Sequence, residues 1–334
     1  MENFDDLFAP QPDQRGDAPF DKDAWAARKQ QEREGVYLMI DTFAHEMSMD
    51  GGLFCDYLDV QARFDRYSVS NAILVAAQKP DATKLADFDT WKASGVYVRR
   101  GAEAITILEP GKEYTRQEDG STGVFYNPKK MFDISQTSAT QRAAPAVNND
   151  ERLLLKALMN NAPCRFAISN ELPEGVNVAY SGRENTIRVR QGLDAPAIFR
   201  GLAQELARAH MDKGSFQCQN PDFVAYSTSY MLCQRNGVSV EGFSFDRMPE
   251  EYSQMDAQAI RGEVGTIREI AGTISADMNR LFAAQEKAQS VVARSTSLVS
   301  PQAGKLTRSA APPSPTEPAS LGFGGDPKRD GGAR

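Results

Sequence analysis

Apolar residues change their spacing along this chain, and that change constrains the fold more than any single motif. Between residues 21 and 49 the large side chains Trp25, Val36, Met39, Ile40, Phe43 and Met47 recur mostly three or four apart, the period of one helix face. Asp50-Gly51-Gly52 interrupts the pattern, and helices are predicted again over 53–64 and 68–78, the second stopped by Lys79-Pro80. The period then shortens. Residues 96–98, 104–108, 124–126 and 131–134 are short β-rich runs, with a polar hairpin or loop over 112–123 around Asp119-Gly120. The alternation repeats once: a helix over 151–159, strands over 165–168, 176–180 and 186–189, a turn at 181–185, then helices over 195–211, 222–235 and 257–290. The last of these carries Ile260, Val264, Ile267, Ile270, Ile274 and Met278 on one stripe, which needs a partner surface.

Helices followed by short strands, twice over, predict an α+β fold. N-terminal helices with a small mixed or antiparallel sheet come first, then a mostly helical second domain with a short sheet. The expected division is a disordered lead over 1–20, a first domain over 21–137, a linker over 138–150, a second domain over 151–292 and a disordered Pro/Gly/Ser/Ala-rich tail over 293–334.

Composition narrows the chemistry. The four cysteines, Cys55, Cys164, Cys218 and Cys233, form no C-x-x-C pair and read as free core thiols suited to a reducing cytoplasm. No apolar run is long enough to span a bilayer, so no membrane partner is expected. The net charge of −7 argues against coating duplex DNA by bulk charge, while leaving room for a local basic groove. Only two histidines, His45 and His210, are present, which weighs against any mechanism built on a histidine pair. No cofactor is expected.

One block does have a chemical character. From Arg63 to Thr137, aromatic rings and cations alternate with Gly punctuation, a composition suited to stacking on bases and neutralising phosphates. Tyr67 and Asn71 lie one helical turn apart and share a face, either to stack on and bond a base or to pack and cap a neighbouring strand. Trp91 is a second candidate ring, with core packing as the alternative. Tyr97 alternates with Val96 and Val98 and is the preferred stacking residue. Arg99 and Arg100, before Gly101, make a basic strand corner able to grip a phosphate. Lys129 and Lys130, after Asn127-Pro128, make another.

In the second half, Gln204-Glu205-Leu206-Ala207-Arg208 has the outline of the zinc-peptidase signature H-E-x-x-H. Gln204 and Arg208 stand where the two ligating histidines belong. Arginine cannot deprotonate to bind a metal, and its charge repels one. Neither a metal site nor a catalytic residue is therefore expected, and Glu205 with Arg208 reads as a helix ion pair.

Both halves resemble one family. The residues Tyr67, Ser70-Asn71, Gln78, Pro80, Ala82-Thr83, Trp91, Gly95, Val98, Arg100-Gly101, Ile105 and 132–137 follow the order of the N-terminal single-stranded-DNA-binding domain of ArdC-type antirestriction proteins. These proteins belong to plasmids and conjugative elements. The second half resembles the zincin-like metallopeptidase domain that follows in that family. The resemblance spans roughly residues 35–290 and implies single-stranded DNA as partner. In the family a downstream glutamate completes the metal site; Tyr226 takes its position here, so all three ligand positions, Gln204, Arg208 and Tyr226, depart. Sequence-tolerant single-strand binding by a mobile-element accessory protein is the leading expectation. A divergent zinc metallopeptidase, and a pseudoenzyme scaffold holding a protein partner in the second domain, remain as alternatives.

Overall fold

The computed structural model describes residues 21–115, 120–139, 150–214 and 216–298, with side chains to residue 290. The expected disordered lead, most of the linker and the tail beyond residue 298 lie outside the described residues.

The predicted helices form where the period asked for them. Helix α1 (Lys22–Met49) starts at Asp21, whose carboxylate accepts from the Asp23 and Ala24 amides. Asp50 closes α1 and opens α2 (Gly51–Arg63), accepting from Gly52 and Leu53, so the predicted break is a corner shared by two helices. Gly51 is there for proximity: a Cβ on it would lie 1.7 Å from the Phe245 carbonyl oxygen. Helix α3 (Val69–Gln78) follows, capped by Ser68.

Strand β1 (Leu85–Ala86) and helix α4 (Phe88–Ala93) lead into β2 (Ile105–Thr115) and β3 (Thr122–Asp133). The order is β1-β3-β2, all antiparallel. The runs over 104–108, 124–126 and 131–134 therefore fall on one antiparallel pair, and of the stretch expected as a hairpin or loop, 112–115 and 122–123 continue its two strands. A register shift between Pro110 and Glu113 absorbs the proline, which has no amide to give the ladder. The predicted strand over 96–98 is not one. It contributes an isolated bridge, Val98 to Thr137, because Gly95 and Gly101, at φ 71° and 83°, bend the chain on either side.

Beyond the linker come α5 (Glu151–Leu158), β4 (Arg165–Ile168), β5 (Val178–Ser181) and β6 (Thr186–Val189). Strand β6 is central, parallel to β4 and antiparallel to β5. Helices α6 (Ala195–Lys213), α7 (Pro221–Asn236) and α8 (Ala257–Leu298) complete the α+β fold. Gly237 ends α7 in the left-handed conformation, as Asn236-Gly237 predicts.

The core does not divide at the linker. The described residues up to Glu286 form one compact unit. The α8 stripe is buried at every position from Ile260 to Met278. Helix α2 packs on α7: the Phe54 ring lies 5.1 Å from Phe223, and the Tyr230 hydroxyl donates to Asp59 at 2.8 Å. Arg268 of α8 donates from Nε to the Tyr67 carbonyl at 2.8 Å, and Arg235 of α7 reaches the Gln61 carbonyl.

Candidate functional site

The block from Arg63 to Thr137 separates into residues that build the hairpin and residues that the hairpin displays. Asn71 belongs to the first group. Its amide donates to the Leu108 carbonyl at 2.9 Å and accepts from the Leu108 amide at 2.8 Å. Gln78, seven residues on and two turns along the same helix face, does the same to Thr106. Two side-chain amides thus replace a neighbouring strand along the outer edge of β2. They satisfy backbone groups that would otherwise invite another chain to pair.

Tyr67 stacks on Phe64 with ring centroids 5.1 Å apart, and burial pushes its hydroxyl pKa up. The Trp91 ring is 4% exposed, donates from its indole nitrogen to the Phe132 carbonyl, and lies under the Lys84 ammonium. Both rings are packing elements with little face to offer.

Tyr97, Arg99 and Arg100 are displayed. Tyr97 is 66% exposed. Its backbone is fixed from both sides: the Tyr97 amide donates to the Ser138 hydroxyl and the Tyr97 carbonyl accepts from the Ser138 amide. The Arg99 amide donates to the Gln136 carbonyl, and the Gln136 side chain bonds the Asp133 amide and the Glu103 carbonyl. Beneath lies the fully buried Asp133 carboxylate. Burial raises its pKa, but the Ser135, Lys84 and Thr83 amides that donate to it outweigh this and hold it below the usual range. The corner is a turn on a rigid base. The Arg99 and Arg100 guanidinium groups are exposed, with no hydrogen bond or ion pair among the described residues.

The second basic corner does not form as a pair. Lys129 and Lys130 are successive strand residues and leave β3 on opposite faces. The Lys129 ammonium is held by Glu109 at 2.8 Å and Asp87 at 3.2 Å, and those bonds raise its pKa. Lys130 alone is exposed and unpaired among the described residues.

At the peptidase-like position the helix geometry is present and the ligand chemistry is replaced. Glu205, 5% exposed, accepts from the Tyr180 amide of β5 at 2.9 Å and from Arg208 at 2.7 Å. The other arm of Arg208 reaches Asp222 on α7 at 3.0 Å. The carboxylate that would activate water in a peptidase here pins a helix to a strand. The guanidinium sits between two acids, where a cation would otherwise be needed. Gln204 is half-buried, and the Tyr226 hydroxyl accepts from the Ser244 amide at 2.8 Å. These residues do not fit a zinc ion. Among the described residues, no group of three or more His, Cys, Asp or Glu side chains is placed to hold a metal. The neighbouring cleft, about 690 Å³, is lined by Arg208, Asp222 and Glu263 and leaves Gln204 and Glu205 outside its wall.

The sequence passed over one displayed surface. Trp25, Lys29, Arg33 and Tyr37 recur every four residues on α1. The strand residues beside them are also exposed: Val124 is 37%, Phe125 46% and Tyr126 44% accessible. The signal was the fixed four-residue interval itself, in a helix whose only expected role was packing.

No family profile matches the chain, and no curated protein matches it. Among solved structures it is similar to the antirestriction protein ArdC from plasmid R388. The metal-free form shares 15% identity at a TM-score of 0.46, covering 64% of this chain and 86% of that one. The Mn(II)-bound form shares 15% identity at 0.45, covering 66% and 97%. The resemblance carried by the sequence motifs names the same family.

Proposed function

We propose that this chain binds single-stranded DNA with little sequence preference, in the service of a mobile genetic element, where such binding shields entering DNA from host restriction. The observation that supports the binding is the corner at Tyr97, Arg99 and Arg100. It has an exposed ring beside two guanidinium groups with no partner among the described residues, on a backbone braced by Gln136, Ser138 and Asp133. A ring stacks on any base and a guanidinium bonds any phosphate, so the arrangement favours a strand over a sequence. The acidic body, at −7 overall, keeps duplex from coating the surface.

Fluorescence anisotropy with a labelled oligonucleotide tests this. Binding is expected for single strand over duplex, falling with salt by about 0.7 log units per log unit of salt for each phosphate neutralised. The double variant Arg99→Ala/Arg100→Ala is expected to lower that slope by about 1.4. Wild-type protein that binds nothing at low salt, or a double variant that binds like wild type, sinks the proposal.

A further inference from the structure

The α1 stripe and the outer half of the hairpin make a second surface whose chemistry nothing above uses. Trp25, Lys29 and Arg33 face Asn127 and Pro128 across a cleft of about 390 Å³. Beyond Phe132, which pairs with β1, strand β3 has no strand on its outer side among the described residues. The cleft therefore has a helix for one wall and a strand edge for the other. At its end the Arg33 guanidinium lies over the Phe125 ring, 6.0 Å from the centroid. The Tyr114 ring lies 4.2 Å from Phe125, tilted by 34° to it, and across Gly123, where an added Cβ would come within 2.6 Å of it. From Trp25 to Tyr37 the stripe covers about 18 Å of helix.

Three cations lie about the Glu32 carboxylate: Lys29, bonded to it at 2.8 Å, with Arg28 and Lys130. Its pKa is lowered, first by the bond from Lys29 and further by Lys130 and Arg28, so the cations of helix and strand converge on one place. Arg33 and Lys130 make no hydrogen bond or ion pair among the described residues. The rings at 25, 37 and 125 are each more than two-fifths exposed beside the unpaired Arg33, while Tyr126, the next strand residue, leaves β3 on its other face.

We infer that the cleft between α1 and β3 is a binding track for a single-stranded nucleic acid, with Phe125 as stacking platform and Lys29 and Arg33 as phosphate contacts. This rests on the proposed single-strand binding and adds a place for it. An apolar protein segment would want the rings without the cations; an acidic one would want the cations without the rings. A strand of nucleotides presents a π-face and a negative charge at every step, which is the repeat the stripe offers.

The test compares four full-length proteins binding a labelled, unstructured oligothymidylate of about 12 nucleotides over a salt series. They are wild type, Lys29→Ala/Arg33→Ala, Phe125→Ala and Arg99→Ala/Arg100→Ala. All the changed side chains are exposed or half-exposed, and far-ultraviolet circular dichroism confirms folding. Phe125→Ala is expected to weaken binding about tenfold with the salt slope unchanged, the mark of lost stacking, and Phe125→Trp to restore it. Lys29→Ala/Arg33→Ala is expected to weaken binding and lower the slope by about 1.4. If wild type binds while Phe125→Ala and Lys29→Ala/Arg33→Ala match it, the track is overturned and single-strand binding stands. If wild type binds no oligonucleotide, both fall.

Discussion

Asn71 and Glu205 carry one lesson from opposite ends of the chain. Each is a residue type that ligands favour, and each is engaged by backbone: Asn71 by both groups of Leu108, Glu205 by the Tyr180 amide. Removing the Asn71 side chain leaves a half-buried strand amide and carbonyl without partners. Asn71→Ala is expected to cost about 1–3 kcal/mol in urea unfolding while oligonucleotide affinity per folded molecule holds. A variant of unchanged stability that loses affinity would return Asn71 to the binding surface. His210 gives a pH-dependent counterpart. Burial lowers its pKa below 6.5, so the unfolded chain takes a proton more readily than the folded one. Stability from this source is complete above about pH 6.5 and declines as pH falls below it, until the folded histidine also protonates. The decline is expected to flatten in His210→Gln; an identical profile would show that other groups set it.

At the scale of elements, the sequence was most legible where a period ran long. The six-residue stripe of α8 and the strands at 165–168 and 186–189 follow directly from spacing. The hairpin was harder. Its outer part on β2, with Lys112 and Glu113, is exposed and polar enough to read equally as hairpin or loop; the register with β3 makes it a strand. The corner at Tyr97 had the reverse fault: Val96 and Val98 look like a strand, but two left-handed glycines leave room for a single bridge. Opposite faces for Lys129 and Lys130 were implicit in a two-residue period, yet adjacency in sequence suggested one basic patch. Gly51 shows how much a corner can hide. Read alone it is a helix breaker, while its function is to let α2 approach the Phe245 carbonyl. Gly51→Ala is expected to destabilise by about 1–3 kcal/mol through backbone overpacking. Gly52→Ala, whose Cβ would meet only the Asp50 side chain at 3.1 Å, should be near neutral or favourable. Equal effects from the two would remove the packing explanation.

At the scale of the molecule, the division into a binding domain and a peptidase-like domain meets a core that both segments build. Phe54 and Tyr57 of α2 and Leu202 and Leu206 of α6 are at most 2% exposed, and all belong to one cluster. Across the linker, Asp59 takes hydrogen bonds from Tyr230 and Gln234, Arg268 reaches the Tyr67 carbonyl, and Arg235 ties α7 to Gln61 and Ser275. Such ties make the second segment a buttress for the first. The consequence is cooperative unfolding. Of the two tryptophans only Trp91 is buried, under Lys84 in the first segment, so in a Trp25→Phe background its fluorescence reports on that segment, while circular dichroism is dominated by helices of both segments. The two transitions should coincide. Leu202→Ala, a cavity in α6 expected to cost about 2–5 kcal/mol, should move the Trp91 midpoint as far as the helical one. A Trp91 transition that stays in place while the circular dichroism shifts would mean that the segments fold as independent domains, and the buttress argument would fail with it.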